Sequence, residues 1–105
     1  MEKPNLNYIN DLAGDDADFR AKLVGVIKTE LPTEIAEYTT SISQNDYPKA
    51  VAHVHKLKHK ISVMGMEEGY HLAESYEQEL KENKTGLAPK FNEVLTLMQE
   101  FATAL

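Results

Sequence analysis

The chain has 105 residues, enough for one domain around one modest core, with 42% hydrophobic and 27% charged residues. It has no cysteine, which excludes disulfides and thiolate metal sites, and no apolar run that approaches a membrane span. A net charge of −6 argues against general attraction to nucleic acid or to an anionic membrane surface.

The N-terminal MEKPNLNYIND lacks the apolar core of a secretory signal, so the expected compartment is the cytoplasm, and the Met1 start favours a free-standing domain over residues 1–105. Leu6, Ile9 and Leu12 predict a short N-terminal turn or helix. Gly14-Asp15-Asp16 then supplies a helix cap and early acids. Phe19, Leu23, Val26, Ile27 and Leu31 follow at helical spacing, and the register continues past Pro32 through Ile35, Tyr38 and Ile42. That proline predicts a kinked helix or two helices nearly in line, ending near Ser43.

Gln44-Asn45-Asp46 is a polar connection, and Pro48 suits the first turn of the next helix. Tyr47, Ala50, Val54, Leu57, Ile61 and Met64 give this helix a narrow buried stripe that runs to about Gly65. Met66, Tyr70, Ala73, Tyr76 and Leu80 are the inward set of a further helix, on which Glu77 and Glu79, with Glu82 beyond, read as a solvated face. Glu82 to Gly86 is a loop, Pro89 falls in the first turn of the last helix, and Leu87, Phe91, Val94, Leu95, Met98, Phe101 and Leu105 give that helix an apolar face. The expected fold is all-α, an antiparallel up-down four-helix bundle with a short N-terminal helix or turn. There is no Gly-rich phosphate loop, so no nucleotide site is expected.

Basic groups gather in one segment. Between Asp46 and Glu67 there is no acid, while Lys49, Lys56, Lys58 and Lys60 stand with His53, His55 and His59. Such a run reads as a solvated helix face or as a site for an anion or an acidic partner. On a helical wheel His55 lies about a quarter-turn from Val54, at the margin between core and solvent, with Lys58 and Ser62 on the same margin and Val51 one turn earlier. Neutral imidazole is a nucleophile near pH 7, and Lys58, one turn away, can meet negative charge placed on the ring.

His55-Lys56-Leu57-Lys58, followed by Met64-Gly65, resembles the central motif of histidine-containing phosphotransfer (HPt) domains. That motif has a histidine, then leucine, lysine and glycine, and a later second glycine. Ala52 suits the small residue usual before the histidine, and the resemblance extends weakly over most of the chain. It implies that His55 is phosphorylated, that Lys58 stabilises the phosphohistidine, and that Glu77 or Gln78 from the next helix reaches the far nitrogen of His55. It also implies response-regulator receiver domains as partners, with a hybrid histidine kinase a further candidate. Docking would use Val51, His55, Lys58, His59 and Ser62. The phosphoryl group would come from a receiver aspartate and pass to another receiver. Magnesium would sit on the receiver, and the domain would carry no cofactor and catalyse no turnover reaction of its own.

His59 departs from the family pattern, because it stands where glycine is usual. It swings away, serves the phosphoryl group or selects a partner, or blocks transfer. The last outcome would leave an interaction module that binds receivers without carrying phosphate. A metal-binding bundle is a further alternative, since His55 and His59 are spaced to share one ion, although zinc needs more ligands than two.

Overall fold

The computed structural model describes residues 2–105. Leu6 precedes α1, Asn7–Ala13, whose Ile9 and Ala13 are buried. Gly14, at φ 56°, turns the chain toward α2. Asp16 caps α2, Ala17–Ser43, by accepting the Phe19 N–H at 2.9 Å. Asp46 does the same for α3, Tyr47–Val63, where it accepts from Lys49 N–H at 3.3 Å and Pro48 fills the first turn. The last two helices are α4, Glu67–Lys81, and α5, Ala88–Ala104.

Three of the helix ends share one device. After α2, Asp46 N–H donates to the Ser41 carbonyl and Asn45 N–H to Ile42. After α3, Met66 donates to Ile61 and Gly65 to Ser62, and after α4, Lys84 donates to Glu79 and Asn83 to Leu80. Asn45, Gly65 and Asn83 all have positive φ, so each end is a Schellman turn with asparagine or glycine at its left-handed position. These turns reverse the chain within a few residues. Helix α2 packs on α3, α3 on α4 and α4 on α5, and α5 closes back on α2. This is the expected helical bundle, with α1 laid against α2.

The core runs along the bundle through Leu31, Tyr38, Val54, Leu57, Ile61, Tyr76, Leu80, Phe91 and Met98. Full burial of each such apolar side chain contributes roughly 1.5–3 kcal/mol. The Tyr38 and Tyr76 hydroxyls meet at 2.6 Å, which satisfies both buried polar tips, and the Tyr38 ring packs edge-on against both Tyr76 and Phe91, while Tyr76 and Phe91 are tilted to one another. The N-terminal segment straps the α3–α4 junction. Asn5 N–H donates to the Met64 carbonyl at 2.8 Å, and the Glu2 carboxylate accepts from Glu68 and Gly69 N–H at 2.9 and 3.0 Å. Glu2 thereby caps α4, whose own preceding residue, Met66, offers no side-chain cap.

Of the two arrangements expected at Pro32, the division into two helices is absent: α2 is one helix on both sides of the proline and ends at Ser43, the ring costing one backbone bond while Leu31 and Tyr38 anchor the flanking turns in the core. Two sequence expectations change. Phe19 and Val26 keep helical spacing but stay exposed because α2 is longer than the face its partners cover, and Leu12 near the end of α1 and Leu105 just past α5 are exposed as well. Glu77 is buried, not solvated. Among the described residues no helix is long and apolar enough to cross a membrane.

Candidate functional site

Helix α3 carries the site on the edge it shares with α4. Leu57, Val54 and Ile61 fix its rotation by filling the core, which turns His55 outward beside Val54. The His55 side chain is 55% exposed, whereas those of Lys58 and Glu77 are only 12% and 10% exposed. One face of the imidazole is therefore open and the ground beneath it is closed.

Glu77 of α4 is the residue behind the ring. Its Oε1 lies 3.5 Å from His55 Nδ1 and 3.0 Å from Lys58 Nζ. No well-aligned hydrogen bond reaches this buried oxygen, so its acceptor capacity faces the His55 ring and the Lys58 ammonium. A carboxylate only accepts, which favours the tautomer with hydrogen on Nδ1 and leaves a lone pair on Nε2. Lys58 Nζ also stands 5.5 Å from the centre of the Tyr70 ring. Its ammonium is held on the Glu77 side of His55, neutralising the carboxylate, and is not extended into solvent.

His59 occupies the other side. Its Nε2 is 3.4 Å from His55 Nε2, and the two rings meet edge-on with centroids 4.8 Å apart. The Nδ1 edge of His55 thus faces a carboxylate, and its Nε2 edge faces another imidazole. Among the described residues no group of three or more His, Asp or Glu side chains is arranged to hold a metal ion.

The other basic residues of the segment are spent elsewhere. Lys60 turns to α2 and bridges Glu30 and Glu34 at 2.8 and 2.9 Å. Burial pulls its ammonium down, but the bonds from the two carboxylates outweigh it and its pKa is raised. His53 faces Glu37 at 3.6 Å, and Lys49 pairs with its own cap, Asp46. The positive run is divided between the α2 and α4 sides of α3.

Of the other expected site residues, Val51 is half-buried and Ser62 exposed, both on α3, and Gln78 is exposed on α4 beside Glu77. It is Glu77, not Gln78, whose carboxylate stands at His55 Nδ1. Tyr70, under Lys58, joins the site, although its spacing in the sequence marks it only as an inward residue of α4. A signal for the Glu77 position does exist in the sequence. Gly69, Ala73 and Glu77 recur every fourth residue, and a Cβ on Gly69 would come within 3.1 Å of Ile61 on α3. This ridge of small residues lets α4 approach α3 closely, and Glu77 continues it.

Comparison with curated proteins and with solved structures gave no match. The family model of the Hpt domain matches residues 22–105, which takes in most of α2 and the whole of the motif helix α3, α4 and α5. The match spans most of the chain, and the chain belongs to the Hpt domain family, whose members serve phosphotransfer in two-component signalling and interact with receiver domains and kinases.

Proposed function

We propose that His55 is the residue that takes and gives the phosphoryl group, and that it does so through Nε2. The lone pair on Nε2 attacks the phosphorus of a receiver phosphoaspartate. An N–P bond forms, the acyl phosphate P–O bond breaks, and the aspartate leaves as a carboxylate. Nδ1 keeps its hydrogen throughout, facing Glu77. Return of the phosphoryl group to an aspartate of another receiver reverses these bonds. The magnesium these steps need belongs to the receiver.

The observation that carries this reading is the exposed imidazole backed at Nδ1 by a buried Glu77–Lys58 pair. A carboxylate behind the ring raises the basicity of the opposite nitrogen and favours the charge that develops on attack. Lys58 neutralises that carboxylate in the resting domain, and its flexible stem would let the ammonium turn from Glu77 toward the phosphoryl dianion formed at Nε2. Docking would use the α3 face of Val51, His55, His59 and Ser62, with Glu77 and Gln78 at its α4 edge.

The contact of His59 with Nε2 favours one other reading, a domain that binds receivers without transfer. Incubation with phosphorylated receivers decides between them. Transfer through His55 requires acid-labile, base-stable phosphate at that residue by mass spectrometry. His55→Gln should keep receiver binding and lose the label. Tight receiver binding by the native chain with no phosphate at His55 would establish the binding-only reading.

A further inference from the structure

We infer that His59 is a phosphoryl-binding residue: it covers Nε2 of His55 in the resting domain and donates its own Nε2–H to a phosphoryl oxygen once His55 is loaded. This rests on His55 as the acceptor and adds a role at the position where the family motif has glycine.

The argument begins with hydrogen positions. The Glu77 carboxylate 3.5 Å from His55 Nδ1 favours hydrogen there, which leaves a lone pair on His55 Nε2. His59 Nε2 stands 3.4 Å from it, and two lone pairs would repel at that range. The arrangement is favourable when His59 carries hydrogen on Nε2 and points it at His55. The nucleophilic lone pair of the resting domain is therefore occupied by a donor, weakly at this distance.

Phosphorus bonded to Nε2 has to take the space the His59 edge fills, so the ring must move. It has room. On its far side His59 borders an open groove between α2 and α3, lined also by Thr33, Glu34, Glu37 and Lys56. Glycine offers neither a cover nor a donor. After transfer, the same Nε2–H faces phosphoryl oxygens in place of a lone pair, and a hydrogen bond to a charged acceptor is stronger than one to a neutral ring. Lys58, on the Glu77 side and 3.0 Å from that carboxylate, leaves the outer side of the phosphoryl group for His59 to meet.

The inference predicts opposite effects on gain and loss of phosphate. Phosphoramidate serves as the donor, so receiver docking plays no part. His55 Nε2 forms the N–P bond as the donor's own P–N bond breaks, and the amine leaves as ammonia with a proton from solvent. The native chain, His59→Ala and His59→Gln are loaded, freed of donor and followed by intact mass and 31P NMR. His59→Ala should load faster and lose phosphate about three-fold faster, the scale of one exposed charge-assisted contact. His59→Gln, which keeps an N–H donor, should recover part of the lifetime.

A label on His55 with equal lifetimes in all three chains, or a longer one in His59→Ala, would overturn the His59 role and leave His55 as acceptor. A native chain that takes no label at His55 would overturn both.

Discussion

Burial of Glu77 removes a carboxylate from water, and its cost is offset only because Lys58 stands 3.0 Å away and is nearly as enclosed. Such a pair adds little net stability, yet removing one member leaves the other stranded. Glu77→Ala should therefore destabilise the bundle by about 2 kcal/mol, less than for a fully enclosed pair because Lys58 has a flexible stem that can reach solvent. Urea unfolding followed by circular dichroism measures this. Glu77→Gln with Lys58→Met removes both charges and should regain most of the lost stability. The same double variant should still load phosphoramidate slowly at His55, because the carboxylate behind Nδ1 is gone. Recovery of both stability and loading rate would show that the pair only supports the fold.

At the scale of the element, the α3–α4 connection sets where this pair meets. Gly65 sits at φ 75°, and a Cβ there would come within 2.6 Å of the Asn5 side chain. Two costs follow from Gly65→Ala, a left-handed backbone for a residue with a side chain and a displaced Asn5, whose Oδ1 accepts from Asn7 N–H at 3.0 Å. The expected loss is about 1–2 kcal/mol. A double-mutant cycle with Asn5→Ala should return part of it, and strict additivity would mean that the backbone conformation alone carries the cost. Much of this element-scale structure is legible in the sequence. Asp16 and Asp46 mark the helix starts, Gly65 marks a helix end, and the spacing of Val54, Leu57 and Ile61 turns His55 outward. Relative helix register is not legible. Nothing local in Tyr76-Glu77-Gln78 says whether Glu77 or Gln78 meets His55; the only sequence signal is the spacing of Glu77 from Gly69 and Ala73, where α4 approaches α3 closely. Periodicity also overstated the core at Leu12, Phe19 and Val26, because a helical stripe records which face is apolar and not how far along its length another helix covers it.

Across the whole molecule, titratable groups tie the helices together, and they share a common weakness at high pH. Burial, reinforced by the hydrogen bond and proximity of Tyr76, pushes the Tyr38 hydroxyl far above its ordinary 10.0. Burial likewise raises Tyr76, against the bond from Tyr38, which lowers it. Lys60, between Glu30 and Glu34, is raised above its ordinary 10.5, since its two carboxylate partners outweigh its burial. For each group the unfolded chain gives up its proton at a lower pH than the folded one. The stability they contribute is therefore complete below the unfolded values and is lost as pH rises through the folded ones. Tyr38 links α2 to α4 and Lys60 links α3 to α2, so ionisation loosens two sides of the bundle at once. Stability measured by urea should be level from neutral pH to about 9 and fall steeply above about 10. Tyr38→Phe with Tyr76→Phe removes both phenols while keeping the rings in the core, and should flatten the alkaline limb. Lys60→Met should remove a smaller part of the slope, because Glu30 is half-exposed and its pairing is screened by water. An alkaline limb unchanged in both variants would place the loss in general charge repulsion of an acidic chain rather than in these contacts.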